Sequence, residues 1–212
     1  MYIAIAGNIG AGKSALTQIL SERYLLTPVY EAVDENPYLE DFYQDMPLYA
    51  FHSQMFFLAK RLEQHLHHIN PGSHINPGSR IIQDRTIYED ANIFARNLFE
   101  DGIMNLRDYN SYRKMYEAIL QALRPPDLLV YIRSSVPTLQ AHIRKRGRDY
   151  EMNISKTYLE RLNALYETFI AEYALSKLVI IPGDRLEFVE REDGLAEVLR
   201  MLEGHGLTAP VL

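Results

Sequence analysis

Four residues near the N-terminus have the types and spacing that suit phosphate binding. Gly7, Gly12, Lys13 and Ser14 fit the pattern G-x-x-x-x-G-K-[ST] within IAIAGNIGAGKSALTQIL at 3–20. An apolar run precedes this loop and a helical stretch follows it, which is the context that the motif requires. Glycines let backbone N–H groups turn toward a phosphate, and the helix N-terminus adds partial positive charge. We expect Lys13 to bridge the β- and γ-phosphates of ATP, and Ser14 to hold Mg²⁺.

A carboxylate at the end of the second predicted strand has the position of a general base. Glu31 lies in VYEAVDENPY, and ligands of open α/β sheets bind at the carboxyl ends of strands. A monophosphate acceptor needs arginine or lysine to hold it, whereas a sugar hydroxyl is a poor nucleophile that needs a positioned base. Glu31 suits the hydroxyl, although taken alone it fits a solvated carboxylate at a strand end equally well. Asp34 and Glu35 are nearby competitors, which we expect in the following turn.

An acidic residue and an arginine end the third predicted strand, in RIIQDRTIYED. Asp84 stands at the carboxyl end, where it would hold Mg²⁺ directly or through water. Arg85 would lie against the transferring phosphoryl group and the base. The alternative interpretation is a purely structural ion pair.

The elements that position these residues alternate along the chain. Short apolar runs predict strands at 2–6, 28–31, 80–84, 127–132 and 177–181. Amphipathic stretches predict helices near 13–24, 47–68, 90–100, 106–123, 136–146, 155–174 and 190–203. Buried strands separated by helices indicate an α/β fold with a parallel sheet between helices. No composition shift marks a boundary, so we expect one domain over 1–212.

Composition excludes several classes of protein. The 212 residues are 47% hydrophobic and 24% charged, as in a globular chain, and the net charge of −6 argues against a nucleic-acid partner. The chain has no cysteine, which excludes disulfides and thiol chemistry. No apolar run reaches the roughly 18 residues of a membrane span. The first apolar run continues into the glycine loop and is interpreted as a strand, so we expect a cytoplasmic protein without a membrane partner.

A hexapeptide occurs twice in tandem, as HINPGSHINPGS at 68–79. Proline and glycine in each copy oppose a helix there. Two copies are too few for a repeat architecture, so we expect a duplicated surface loop.

Four stretches together resemble the deoxynucleoside kinase family, in that family's order and spacing over nearly the whole chain. They are GNIGAGKS, YEAVDENPY, QDRTIYEDANIFARNLFE and KRGRDYE. The chain is most similar to the bacterial deoxyadenosine/deoxyguanosine kinases. The resemblance implies a P-loop kinase fold with a parallel sheet of about five strands, a short lid near 144–153, and a homodimer. It also implies transfer of the γ-phosphoryl group of ATP to the 5′-hydroxyl of a deoxynucleoside. Deoxyadenosine is the expected acceptor, with deoxyguanosine or deoxycytidine as alternatives.

The resemblance implies a role for each matching residue. Catalysis would rest on Glu31 as general base, with Lys13 and the Asp84–Arg85 pair at the phosphoryl group. Ser14 and Asp84 would hold the metal. The implied ATP-binding residues are Gly7, Asn8, Ile9, Gly10, Ala11, Gly12, Lys13, Ser14, and the lid residues Arg146 and Arg148. The implied substrate-binding residues are Glu31, Tyr43, Gln54, Arg61, Arg85, Asp90, Phe94 and Glu151.

Within the implied substrate site, Tyr43 and Glu151 would bind the sugar 3′-hydroxyl, and Gln54 would read the base edge. The Arg61–Asp90 pair would lie beside the base and Phe94 would pack on it. A carboxamide offers a donor and an acceptor, which matches the edge of adenine. Without the resemblance, Tyr43 and Phe94 would be interpreted as core aromatics and Gln54 as a surface residue.

The chain departs from the common family pattern in places. Asp84 stands where some members have glutamate, and Thr86 where serine is frequent; both exchanges keep the chemistry. Phe57 stands where other members have a small residue near the base, which reshapes the expected pocket.

Two other functions remain as alternatives at this point. The first is a nucleotide kinase of the thymidylate type, against which the acidic YEAVDENP argues because it lacks an arginine to hold an acceptor phosphate. The second is a non-catalytic nucleotide-dependent regulator. A switch GTPase would usually carry a guanine-reading motif such as N-K-x-D, which the sequence lacks.

Overall fold

The computed structural model describes residues 1–70 and 80–208. Most of the duplicated hexapeptide lies outside these residues, so the surface loop predicted there stays a prediction.

Five parallel strands form one sheet in the order β2-β3-β1-β4-β5. The strands are β1 (Tyr2–Gly7), β2 (Thr27–Val29), β3 (Ile81–Asp84), β4 (Leu128–Arg133) and β5 (Lys177–Pro182). Every residue of β1 and β3 is buried. Burial on both faces explains why these strands appear in the sequence as continuous apolar runs rather than alternating ones. The predicted five-stranded parallel sheet is confirmed.

Helices flank the sheet. They are α1 (Lys13–Tyr24), α2 (Leu39–Gln44), α3 (Met46–Gln64), α4 (Ile87–Glu89), α5 (Arg96–Glu100), α6 (Leu106–Leu120), α7 (Val136–Arg146), α8 (Lys156–Glu172), α9 (Gly183–Leu186) and α10 (Glu192–Glu203). A π-helical segment, Asp90–Ala95, joins α4 to α5, and another, His65–Ile69, extends α3. In residues 1–70 and 80–208, none of the helices is long and apolar enough to cross a membrane.

The predicted boundaries agree best where the sequence carries strong end signals. Helices α1 and α7 have the predicted bounds. Gly147 directly follows α7, and its φ of 70° suits the residue that caps a helix C-terminus. Strand β2 is shorter than predicted because its pairing with β3 ends at Val29, so Glu31 lies two residues beyond the strand. The short helices α2 and α9 were not predicted, since each is too brief to show a helical period.

The loop between β1 and α1 has a backbone that only glycine adopts easily. Gly10 has φ 82° and Gly12, which precedes α1, has φ 92°. A Cβ atom on Gly10 would lie 2.7 Å from the carbonyl oxygen of Leu139 in α7. The loop is therefore packed against α7 so closely that position 10 has no room for a side chain.

Gly10→Ala should lower the free energy of unfolding by more than Gly102→Ala, which serves as its control. Gly102 has a similar φ of 70°, but a Cβ atom there would meet nothing within 4 Å. Gly102→Ala should therefore cost only the strain of left-handed backbone, about 1–2 kcal/mol. Gly10→Ala adds the contact with α7, so we expect a loss at least about 1 kcal/mol larger. Urea denaturation of both variants measures the difference, and equal losses would contradict the packing described for this loop.

Candidate active site

Three segments meet at the carboxyl ends of β1, β2 and β3 and enclose a cavity of about 290 Å³. Most of the residues predicted to bind ATP or substrate line it: Ile9, Gly10, Lys13, Ser14, Glu31, Tyr43, Gln54, Asp84, Arg85, Asp90, Phe94, Arg146, Arg148 and Glu151. The structure therefore brings together in one cavity residues from the first, second, third and lid motifs of the sequence.

Helix α8 holds the phosphate-binding loop from one side. The amide of Asn8 donates to the carbonyl of Leu159 at 3.1 Å and to Asn163 Oδ1 at 2.7 Å. Its own Oδ1 accepts from the backbone N–H of Ile9 at 2.7 Å. A rigid loop keeps its N–H groups aimed at one place, which favours binding of a phosphate there.

Lys13 lies inside this loop. Its Nζ donates to the carbonyl of Asn8 at 3.1 Å. Burial, followed by the charge of Arg85, lowers the pKa of Lys13 to about 8, although Asp84 and Glu31 oppose that shift. Because burial and Arg85 together outweigh the nearby carboxylates, the ammonium group of Lys13 gains strongly from a phosphate close by.

Ser14 and Asp84 face each other across the cavity floor. The hydroxyl of Ser14 donates to Asp84 Oδ2 at 2.5 Å. The other carboxylate oxygen, Oδ1, is buried without a hydrogen-bond partner among the described residues. Mg²⁺ takes hard oxygen ligands and needs only one or two from the protein when phosphates supply others, so this pair fits the ion. The described residues contain no group of three or more His, Cys, Asp or Glu that could hold a metal.

Glu31 lies between two buried arginines. Its Oε1 is 3.1 Å from Arg61 Nη2 and 2.9 Å from Arg85 Nε. Burial would raise the pKa of Glu31, but the positive charges around it, Arg85 first and then Arg61, outweigh burial and lower the pKa. Glu31 is therefore ionised at neutral pH. Asp34 and Glu35, its competitors in the sequence, fall in a 3-10 turn, and Glu35 there pairs with Lys60 at 2.8 Å.

Arg61 is 1% exposed and connects two acidic residues. Its Nε donates to Asp90 Oδ2 at 3.0 Å, while Nη2 reaches Glu31. Burial raises the pKa of Asp90 to about 6, although Arg61 acts to lower it. Arg61 is not among the residues that line the cavity. It lies behind Glu31 and Asp90 and acts on the cavity through them.

The far end of the cavity carries an amide and aromatic rings. Gln54 is buried, and its Oε1 has no hydrogen-bond partner among the described residues. The guanidinium carbon of Arg85 lies 4.2 Å from the ring centroid of Phe94, and Phe57 lines the same space. A buried amide oxygen without a partner costs free energy, so this end of the cavity favours a ligand that donates a hydrogen bond to Gln54.

Residues near the predicted lid close the cavity on another side. The rings of Tyr43 and Tyr150 stack with centroids 5.7 Å apart. Glu151 forms ion pairs with both Arg146 and Arg148. Burial, followed by Tyr158 and Glu151, raises the pKa of Tyr43 well above its ordinary value. Tyr43 therefore keeps its proton and can donate a hydrogen bond.

A second cavity, of about 410 Å³, lies on the other side of the phosphate-binding loop. Ala11 and Gly12 line it, together with His142 of α7 and the segment 187–190 after α9. Arg146 and Arg148 belong to both cavities. A Cβ atom on Gly12 would lie 3.2 Å from the Phe188 ring, so this ring lies directly over the loop. The two cavities provide separate spaces on either side of one phosphate-binding segment.

Sequence reasoning missed several residues of the site. Tyr150 and Tyr158 line the first cavity. Tyr150 lies in the KRGRDYE stretch but was given no role, and Tyr158 lies in none of the four stretches. Glu89 is 0% exposed and accepts a hydrogen bond from the backbone N–H of Gly7 at 3.2 Å. A signal for Glu89 existed: Thr86 and Glu89 have the T-x-x-E spacing of a capping box, and both of its hydrogen bonds are present.

Comparisons with known proteins agree with this geometry. The family profile described as deoxynucleoside kinase matches residues 3–204. Two curated relatives come from Bacillus subtilis (strain 168). A deoxyadenosine/deoxycytidine kinase is 32% identical over 93% of this chain and 89% of the relative. A deoxyguanosine kinase is 33% identical over 89% of each chain.

A solved structure extends the similarity to three dimensions. Deoxyadenosine kinase from M. mycoides with bound dATP superimposes with a TM-score of 0.82 at 30% sequence identity. The match covers 96% of this chain and 100% of the other. The relatives are named for different deoxynucleosides, so similarity alone gives the class of substrate and not the base.

Arg61→Met should lower the free energy of unfolding by about 3–5 kcal/mol at about pH 8, because it leaves Asp90 and Glu31 buried without this counter-charge. Burial already raises the pKa of Asp90, and removal of Arg61 raises it further. A carboxyl group with a raised pKa in the folded state binds its proton preferentially there, so protonation favours folding. In the variant Asp90 therefore takes up its proton above the pKa of about 6 that it has beside Arg61, so the loss should shrink as the pH falls from about 8 to about 6.

Arg96→Met is the control for this experiment. Arg96 pairs with Glu100 at 2.7 Å on an exposed face, where such pairs contribute about 0.3–0.5 kcal/mol. Urea denaturation at about pH 8 and at about pH 6 measures the free energy of unfolding of both variants, and only Arg61→Met should show a large loss that depends on pH. Equal losses, or a loss for Arg61→Met that does not change with pH, would contradict the charge network described here.

Proposed function

This chain belongs to the deoxynucleoside kinase family and is an ATP-dependent deoxynucleoside kinase, and we propose that deoxyadenosine is its preferred acceptor. The observation that carries the catalytic part of the proposal is the ionised carboxylate of Glu31, held by Arg61 and Arg85 in the cavity that also contains Lys13. A carboxylate opposite a phosphate-binding loop suits a hydroxyl acceptor, which needs a base, and does not suit an anionic acceptor.

In the proposed reaction, Glu31 accepts the proton of the 5′-hydroxyl as the hydroxyl oxygen attacks the γ-phosphorus of ATP. The bond from that phosphorus to the β–γ bridging oxygen breaks, and ADP leaves. Both arginines contact Oε1 of Glu31, which leaves Oε2 for the hydroxyl. The lowered pKa keeps the carboxylate free of a proton at neutral pH. Glu31 contributes to the rate largely by position, because the two arginines fix its carboxylate next to the place where the hydroxyl must lie.

Positive charges stabilise the transferring phosphoryl group in this proposal. Lys13 contacts the β- and γ-phosphates, Arg85 lies beside the group in transfer, and the lid arginines Arg146 and Arg148 close over it. Negative charge spreads over the phosphoryl oxygens in the transition state, where such cations are most effective. Mg²⁺, when held by Ser14 and Asp84, neutralises charge on the phosphate oxygens.

The preference for deoxyadenosine rests on Gln54. Its unpartnered Oε1 suits the exocyclic amine of adenine, and its amide N–H suits a ring nitrogen. Cytosine has a similar donor–acceptor pair on a smaller ring. Guanine has a carbonyl in place of the amine and requires the amide to flip. Deoxyguanosine and deoxycytidine are therefore the second-ranked acceptors, and thymidine is the last because thymine has no exocyclic amine.

The sugar and the assembly complete the proposal. Tyr43 and Glu151 bind the 3′-hydroxyl, and residues 144–153 act as a lid over a single domain of 1–212.

The protein acts in the cytoplasm as a homodimer, which rests on the family resemblance.

Glu31→Gln keeps the shape of the side chain and removes the base. The rate constant kcat should fall by about 10²–10⁴-fold, while ADP affinity, measured by calorimetry, should change little. Glu35→Gln is the matched control, because Glu35 is close in sequence but its side chain is 61% exposed. A coupled assay for nucleoside-dependent ADP production compares the variants. If Glu31→Gln stays within a few-fold of the native chain, another group is the base.

Gln54→Ala should lower kcat/KM for deoxyadenosine by the equivalent of about 1–3 kcal/mol, the usual value of a bidentate base contact. The KM for ATP should stay nearly unchanged. Gln44→Ala, at an exposed position of α2, is the control. Competition on an equimolar mixture of nucleosides gives the ranking, and a clear preference for thymidine would overturn this account of the base pocket.

A further inference from the structure

Glu89 is a fully buried carboxylate for which the proposed reaction has no role. Acidic side chains are almost never fully buried unless they are paired or hydrogen-bonded. The carboxylate of Glu89 accepts hydrogen bonds from four uncharged donors. Oε1 accepts from the N–H of Gly7 at 3.2 Å and from the hydroxyl of Tyr166 at 2.8 Å. Oε2 accepts from the N–H of Thr86 at 2.8 Å and from its hydroxyl at 3.1 Å.

The two oxygens of Glu89 hold two different parts of the active site. Gly7 is the first residue of the phosphate-binding motif, and the single proton of the Tyr166 hydroxyl is shared between the Gly7 carbonyl oxygen and Glu89 Oε1, each 2.8 Å from the hydroxyl oxygen. Both polar groups of Gly7 are therefore engaged by this pair of side chains. Thr86 directly follows Arg85, so the second oxygen fixes the turn that carries the active-site arginine.

The turn at Arg85 requires such support. Arg85 has φ 65°, in the left-handed region that a residue with a side chain rarely adopts. Strain of this kind persists only where surrounding contacts enforce it. On one side of the turn, the N–H of Arg85 donates to the carbonyl oxygen of Ile5 at 3.0 Å. On the other side, the N–H of Thr86 donates to Glu89 Oε2.

We propose that Glu89 is a positioning residue for phosphoryl transfer, because its carboxylate ties the Arg85 turn to the phosphate-binding loop. Arg85 and the bound phosphates then keep a fixed distance from each other. Misplacement of a catalytic group by 1 Å can cost about 10²-fold in rate. A carboxylate is required because each of its oxygens faces a backbone N–H, that of Gly7 on one side and that of Thr86 on the other, and the NH₂ of a glutamine would face one of these two donors. The proposal rests on the role of Arg85 in the proposed function.

Thr86 offers the mildest way to loosen one side of this link. Thr86→Val has nearly the same shape and removes the hydroxyl that bonds Oε2, whereas Thr86→Ser keeps it. We expect Thr86→Val to lower kcat by about tenfold and Thr86→Ser by less than about twofold. The KM values for ATP and deoxyadenosine should change by less than about twofold in both. Glu89→Gln should have a larger effect than Thr86→Val and lower kcat by about 10–100-fold relative to the unmodified chain.

A double-mutant cycle tests whether the effect passes through Arg85. In an Arg85→Ala background no guanidinium remains to be positioned, so Thr86→Val should lower the single-turnover rate by less than about twofold. The same fold loss in both backgrounds would overturn the proposal, as would equal rates for Thr86→Val and Thr86→Ser in the native background.

Two further measurements separate positioning from folding and from the proposed function. Urea denaturation should show the Thr86 variants still folded under assay conditions, so a loss of rate that follows unfolding would overturn the proposal. The rate at which the unmodified chain phosphorylates deoxyadenosine tests the proposed function by itself. The dependence of the Thr86→Val effect on the presence of Arg85 tests the proposed role of Glu89.

Discussion

The ion pairs that Glu31 forms with Arg61 and Arg85 are the interaction on which the rest of the active site depends. Taking a charged group out of water costs several kcal/mol unless a partner of opposite charge compensates it. Arg61 must therefore reach both Glu31 and Asp90, and this brings α3, the segment after β2 and the helix after β3 to one point. The charges are fixed by the fold before any substrate enters, so little reorganisation is needed during the reaction.

Glu151 extends the same principle to the lid segment. Its carboxylate pairs with Arg146 and Arg148, the two arginines shared by both cavities. In the proposed function, the phosphates of ATP compete with Glu151 for those guanidinium groups, and the sugar 3′-hydroxyl is an alternative partner for Glu151. Binding of either molecule therefore changes the electrostatic environment that the other one meets.

Much of the fold could be predicted from the sequence, because buried parallel strands are continuous apolar runs and helices show their own period. Glu31, Asp84 and Arg85 could be located because strand ends face the ligand side of such a sheet. The pairing of Arg61 with Asp90 was expected only from the family resemblance. The contact of Arg61 with Glu31 was not predicted, since these residues are 30 apart in the sequence and no local pattern links them. Glu89 was visible as part of a capping box, but its contact with Gly7 across 82 residues depends on how β1 and β3 pair. The local sequence pattern therefore predicts the helices and strands, whereas the contacts between distant side chains depend on how the strands pair and the helices pack.

The central place of β1 in the sheet divides the molecule in a way that bears on its evolution. Segments after β2 and β3, with α2 and α3, build the first cavity, whereas the segments after β4 and β5 contribute to the second. Among the described residues, Gly10, Lys13, Ser14, Arg146 and Arg148 line both cavities. If the first cavity holds the nucleoside, as proposed above, substitutions in α2 and α3 change that space and leave the lining of the second cavity unchanged. Relatives named for different deoxynucleosides belong to one family, and this division lets the residues of α2 and α3 diverge while the phosphate-binding loop between the two cavities is kept.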